Sequence, residues 1–207
     1  MSGKSTTLYV KALEMIKAKS RYRGTCLKLT NSLCDFEKAT INAFTRSFPN
    51  ISHTGCIFHL DQIIIKRVKL LGLYSDFLRD HSFYIEISCL MSLAYMKPDE
   101  IMYYFNDLFP TLSQKAKQVA SWFKVNYIQG ENGRLPNYST QFWRIYENFI
   151  NGFPTTQNWA ESYHHRIHSV LDAERLPIYK FILFLLVRVR VLRVRFAATQ
   201  WVIDDRK

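Results

Sequence analysis

Three features of this 207-residue chain have the residue types and spacing to do chemistry: Asp35, the pair Cys56-x-x-His59, and the run TTQNWAESYHHRIH at 155–168. Asp35 is the second residue of the stretch CDFEKATINAF (34–44), which follows the apolar run CLKLT (26–30) and a polar turn. An aspartate in that place is either the N-cap of a helix, a very common use, or a carboxylate at the carboxyl end of a strand, where it can hold a metal. Glu161 falls about one turn into a helix that Thr155 or Thr156 can cap. Gln157 and Asn158 lie near the amino end of that helix, where anions are favoured. Two carboxylates remote in sequence, one ending a strand and one on a helix, can share Mg²⁺ in phosphoryl transfer. Spacing alone does not bring them together, and a lone Glu on a helix is usually just solvated.

Cys56 and His59 lack the second close pair of a zinc finger. His164 and His168, four apart on one helix face, would complete a site still one cysteine short, so zinc is not expected. His165 points to a different face. A packed cysteine and a hydrogen-bonded histidine are the stronger reading of the pair.

Lys and Arg outnumber Asp and Glu, 28 to 17, for a net charge of +11. That excess favours a polyanionic partner, nucleic acid first and an anionic membrane surface second. The candidate contacts are Lys66, Arg67 and Lys69 on the polar side of one helix, and Arg188, Arg190, Arg193 and Arg195 in the tail LLVRVRVLRVRF. The tail alternates with the period of a half-exposed strand. On a helix, Arg188 and Arg195 would face one way and Arg190 and Arg193 nearly the opposite. A basic edge strand, a frayed tail and a nucleic-acid-contacting arm all stay open.

The four cysteines, Cys26, Cys34, Cys56 and Cys89, follow no disulfide-framework spacing, which favours a reducing compartment. Without a secretory route, the triplets Asn50-Ile51-Ser52 and Asn137-Tyr138-Ser139 match glycosylation acceptors by chance. The apolar run at 181–187 is too short to span a bilayer, so no membrane is expected.

Several elements must position these residues. An amphipathic helix opens the chain, with Leu8, Ala12, Met15 and Ile16 as its apolar face. A strand at 26–30, a helix at about 35–48, a strand at 51–58 and a helix through HLDQIIIKRVKLLGL follow. Strand–helix–strand–helix is the grammar of an α/β sheet. From 75 to 149 the period is helical, with helices near 82–96, 98–109, 111–127 and 139–151. Breaks fall at Pro98, at Pro110 and in the loop QGENGRLPNYS. Further helices run from about 156 to 171 and from Pro177 onward. The fold class is therefore α/β and helix-dominated, with an all-helical insertion.

At these residues the sequence resembles the catalytic domain of Mutator-like element (MULE) transposases, particularly the animal type that carries FLYWCH-like fingers. The matching stretches are CDFEKATINAFTRSFPN (34–50), GCIFHLDQIIIKRVKLLGL (55–73), the weaker LMSLAYMKPDE (90–100), FWRIYENFINGFPTTQNWAESYHHRIHS (142–169) and LPIYKFI (176–182). MSGKSTTLYVKALEMI also resembles the segment just upstream of the family's Asp-Phe-Glu block. Order and spacing agree across about 180 residues.

The resemblance implies an RNase H-like domain with a helical insertion before its last acidic residue. It divides the chain into an α/β remnant (1–74), the insertion (75–150), the last helices of the domain (151–186) and a diverged basic tail (187–207). Such enzymes cut and join DNA with three carboxylates, Asp, Asp and Glu, that hold two Mg²⁺ ions. Carried over, Asp35 is the second Asp and Glu161 the Glu. Cys56 and His59 match the family's Cys-x-x-His, Asn158 its second Asn and His164 its His after the Glu, all in supporting roles. Gln157 replaces the first Asn. The first Asp has no counterpart, since residues 1–34 hold one carboxylate, Glu14, and no Asp. The expectation is an amino-terminally truncated DDE transposase fragment, nuclear, with DNA as partner. Its ancestral Mg²⁺ is not productively bound, and it is inactive alone. The alternative is a non-catalytic, domesticated nucleic-acid-binding or interaction protein. Oligomeric state is left open.

Overall fold

The computed structural model describes residues 5–158 together with Ser162. The chain divides into two compact units at 157/158, and the fold below is that of the first. The sequence-predicted helices beyond 158 lie outside the described residues. So do Glu161, His164, His168, Arg188, Arg190, Arg193 and Arg195.

Helix α1 (Thr6–Tyr22) starts at Ser5, whose hydroxyl accepts the Leu8 amide at 3.3 Å. The face expected to be buried is the one turned to solvent, with Leu8, Met15 and Ile16 exposed at 45, 74 and 52%. The reason is that among the described residues α1 has one substantial neighbour, helix α2 (Lys38–Ser47), and meets it with Tyr9, Val10 and Leu13. Leu13, Ala43 and Phe48 fill that seam. Lys17 closes it by donating to the Ser47 carbonyl at 2.9 Å, with its ammonium 5.1 Å from the Phe48 ring.

Strand β1 is Asn31–Cys34, later than the expected 26–30, and strand β2 is Ser52–Gly55, shorter than the expected 51–58. They pair in parallel, from Asn31↔Ser52 to Cys34↔Gly55, joined through α2 as a β-α-β crossover. A ladder exists only where both strands run side by side. β2 stops where Cys56 becomes the N-cap residue of helix α3 (Ile57–Leu70), and residues 25–30 fall opposite 46–51, the end of α2 and the turn after it, so among the described residues they have no strand beside them. Asp35 caps no helix. The N-cap residue of α2 is Glu37, because the chain spends Asp35 and Phe36 on turning out of the sheet.

Helix α3 buries Ile57, Leu60, Ile64 and Val68, a stripe at helical spacing, and gives way at Gly72, whose φ of +73° suits glycine. The rest of the unit is helical, as expected: α4 (Tyr74–Arg79), α5 (His81–Ser92), α6 (Ile101–Thr111), α7 (Gln114–Phe123), α8 (Thr140–Trp143) and α9 (Tyr146–Ile150). Pro110 does not break α6 but sits in its last turn, where its missing N–H costs little more than one bond. Ser113 begins α7, later than expected, its amide and hydroxyl both 2.6 Å from the Glu86 carboxylate on α5. After α7 the chain widens into a π turn, Lys124–Ile128.

One core unites these parts. Cys34, Ile57, Leu60, Ile64 and Val68 pack in the same cluster as Phe83, Ile87, Phe105, Phe123 and Trp143. The helical block therefore has no separate interior; it walls in the strand ends. Trp143 is fully buried, and its indole N–H donates to the Tyr127 carbonyl at 2.7 Å. The described residues are thus helix-dominated around a two-stranded parallel sheet.

Candidate functional site

Asp35 directly follows the last residue of β1 and is exposed. Phe36 explains its position. The Phe36 ring turns inward, edge-on to Tyr138 and Phe142 at 5.0 and 5.2 Å between centroids. The Tyr138 hydroxyl donates to the Phe36 carbonyl. With Phe36 wedged into the helical block, its two acidic neighbours line a cleft. Glu37 is held by the Tyr9 hydroxyl at 3.4 Å and by the Thr40 hydroxyl at 3.0 Å, which ties α1 and α2 to the same point. Gly55 is needed at the neighbouring strand end, since a Cβ there would lie 2.9 Å from the Phe142 ring and 3.0 Å from the Phe36 ring.

The cleft has a volume of about 550 Å³. Asp35 and Glu37 form one wall, and His59, Gln62, Lys66 and Lys69 of α3 form the other. Steps of three, four and three residues put those four side chains on one helix face, opposite the buried stripe. A ligand here meets hydrogen-bond acceptors on one side and two ammonium groups on the other. Lys69 also lies 4.4 Å from the Tyr74 ring, which steadies it. Arg67 does not join this face. One residue from Lys66 means about 100° around the helix, and its guanidinium stacks 5.4 Å from the Trp122 ring of α7.

The third sequence block reaches the same end of the sheet. The Thr155 carbonyl accepts the Ile57 amide at 3.0 Å, at the start of α3. The Gln157 side-chain amide donates to the Leu33 carbonyl of β1 at 2.5 Å. The Asn148 amide holds the approach by donating to the Pro154 carbonyl at 3.1 Å. The Asp-Phe-Glu, Gly-Cys-x-Phe-His and Thr-Thr-Gln blocks, more than 100 residues apart at their extremes, thus meet at the carboxyl ends of β1 and β2. Asn158, next in sequence, is helical and exposed.

The cysteines here are packing groups. Cys56 is fully buried and its amide donates to the Cys34 carbonyl at 2.9 Å. Burial pushes the Cys34 thiol up to about 11, so it stays protonated at neutral pH and is a poor nucleophile or metal ligand. Among the described residues no three His, Cys, Asp or Glu side chains are grouped to hold a metal ion. Nor is any described helix long and apolar enough to cross a membrane.

Sequence reasoning passed over Glu37, Gln62 and His53. The first two were legible: Glu37 stands two residues from Asp35, and Gln62 shares the spacing of His59 and Lys66. His53 of β2 was not. It lies 2.6 Å from the Ser32 hydroxyl and 2.9 Å from the Thr45 hydroxyl, joining both strands to α2, and burial lowers its pKa. Only the parallel register places those three side chains together. The chain matches no protein-family model, no curated protein and no solved structure.

Proposed function

We propose that this chain is part of the catalytic domain of a MULE-type DNA transposase, of RNase H-like fold, and that it binds DNA along the cleft without cutting strands by itself. The observation that supports this reading is the meeting of three remote sequence blocks at one end of a parallel sheet, with Asp35 exposed at the mouth of a basic-walled cleft. Lys66 and Lys69 take backbone phosphates as point charges, and Gln62 and His59 add hydrogen bonds. A nuclear location follows from a DNA partner.

In this chemistry Mg²⁺ ions held by three carboxylates activate the attacking oxygen and stabilise the leaving one. Of those three carboxylates the described residues include the one matched to the second Asp, Asp35, with Glu37 beside it in the cleft. Glu14, the one carboxylate of residues 1–34, lies on α1 and pairs with Lys17 at 3.3 Å. No metal-dependent step is therefore assigned to this chain. Incubation with labelled DNA and Mg²⁺ or Mn²⁺ should give no nicking. Nicking that disappears in Asp35→Ala and in Glu161→Ala would overturn the claim of inactivity.

A second reading, a non-catalytic nucleic-acid-binding protein domesticated from such an element, is favoured by the net charge of +11 and by the lack of a three-ligand group among the described residues. Both readings expect DNA affinity that falls steeply with salt. The second reading expects that affinity to be unaffected by Asp35→Ala. Lys66→Glu with Lys69→Glu should weaken DNA binding in either case. Affinity unmoved by salt and by that pair would sink both.

A further inference from the structure

A row of aromatic rings begins where the cleft ends. Lys69 lines the cleft and sets its ammonium 4.4 Å from the ring of Tyr74, the first residue of α4. The Tyr74 ring lies within 17° of parallel to that of Phe77, 6.3 Å between centroids, and Phe77 in turn lies 5.3 Å from Tyr84 on α5. Phe77 packs on the larger core and so fixes the row, whereas Tyr74 and Tyr84 are 37 and 48% exposed.

The charges around the row favour an anion. Each carboxylate from the start of α4 to the end of α5 is engaged within the fold. Asp76 pairs with the Lys115 ammonium at 2.9 Å, Asp80 accepts the Ser82 and Phe83 amides at 2.9 and 3.2 Å, and Glu86 accepts from Ser113. Lys66 and Lys69, which lead into the row, and Arg79, in the last turn of α4, are exposed. Ring faces next to cationic groups match the two parts of a nucleotide, base and phosphate, which favours a nucleic acid over a polypeptide.

We propose that Tyr74 and Tyr84 are a stacking platform for the unpaired bases of a single-stranded nucleic acid whose backbone follows Lys66 and Lys69. Bases inside a duplex already stack on their neighbours, whereas those of a single strand can take a ring face. As a base arrives on Tyr74, the Lys69 ammonium moves from the ring to a phosphate. The inference rests on the reading that the cleft takes nucleic acid, and narrows that ligand to single strands.

The test titrates the whole chain, by fluorescence anisotropy, with labelled oligothymidylate, oligouridylate, an abasic phosphodiester strand and a duplex, all of one length. The better of the two base-bearing strands should bind about tenfold more tightly than the abasic strand or the duplex, and it identifies the preferred sugar. Tyr74→Ala and Tyr84→Ala should each weaken that binding about tenfold and leave the abasic strand unaffected, while Tyr84→Phe keeps the wild-type affinity. The proposal is overturned if the abasic strand or the duplex binds as tightly as both base-bearing strands, or if neither alanine variant loses affinity. Duplex binding that persists in that event, and that Lys66→Glu with Lys69→Glu abolishes, would leave the cleft reading standing. Absence of binding to every strand would sink the two together.

Discussion

The two buried clusters of the described unit differ in kind. The α1–α2 seam rests on Leu13, Ala43 and Phe48, and leaves the other side of α1 in water. The larger core draws on β1, α3, α5, α6, α7 and α8, and stacks Phe123, Tyr127, Tyr138 and Phe142 with ring centroids 5.2 to 6.2 Å apart in successive pairs. The cleft touches both, but unequally. Asp35 is set by Phe36, which belongs to the larger core, whereas α1 contributes one tyrosine hydroxyl to Glu37. The position of the site is therefore governed by the helical block more than by its immediate neighbours.

The largest expected effect lies in the larger core. Trp143→Ala should cost about 3–5 kcal/mol, since it empties a fully buried site and orphans the Tyr127 carbonyl, as read by denaturant unfolding. Leu13→Ala should cost about 2 kcal/mol, at the low end for such changes, because a helix with one neighbour can settle into the gap. It should also raise amide exchange in α1 while leaving α5 to α7 unchanged. Equal losses at Trp143 and Leu13 would erase the contrast between the clusters. Gly55→Ala tests the link to the cleft: the added methyl meets two rings and should cost about 1–2 kcal/mol. It should also weaken DNA binding, because Phe36 must shift.

Two titrations give smaller effects. Burial raises the Asp61 carboxyl on α3 to about 6, and its Oδ1 lacks a hydrogen-bond partner. The folded state holds that proton more tightly than the unfolded chain. The resulting stabilisation is complete below pH 3.8 and is lost as the pH rises through about 6. Asp61→Asn should remove that slope, visible as the difference between the Tm–pH curves of variant and wild type. His53 has the opposite sign of dependence. Its folded pKa is depressed below 6.5, so its contribution is present above that pH and fades as the pH falls through the folded value. His53→Gln should flatten this modest acid-side decline.

Sequence legibility followed range. The helical block and the stripe of α3 were readable because their period repeats within a few residues. The face Leu8, Ala12, Met15 and Ile16 was equally periodic, yet it is exposed, because periodicity reports an apolar face and not the neighbour that covers it. CLKLT had strand character, but pairing is settled by where β2 begins, at Ser52, more than twenty residues away in sequence. Asp35 looked like a cap until Phe36 found its aromatic pocket, contributed by residues about a hundred positions further on. The order of the motif blocks was visible from the start. Their meeting rests on two hydrogen bonds, from Gln157 to β1 and from α3 to Thr155, that no local pattern encodes.

The π turn at Lys124–Ile128 has a consequence for insertions and deletions. A turn of this kind holds one residue more than an α turn, so removing Val125 would close it to ordinary helical geometry at little local cost. The Tyr127 carbonyl that anchors Trp143 would then be drawn back toward the helix, and the tyrosine would rotate out of its stack with Phe123 and Tyr138. In that stretch the number of residues, and not only their identity, is what keeps the wall behind Phe36 in place.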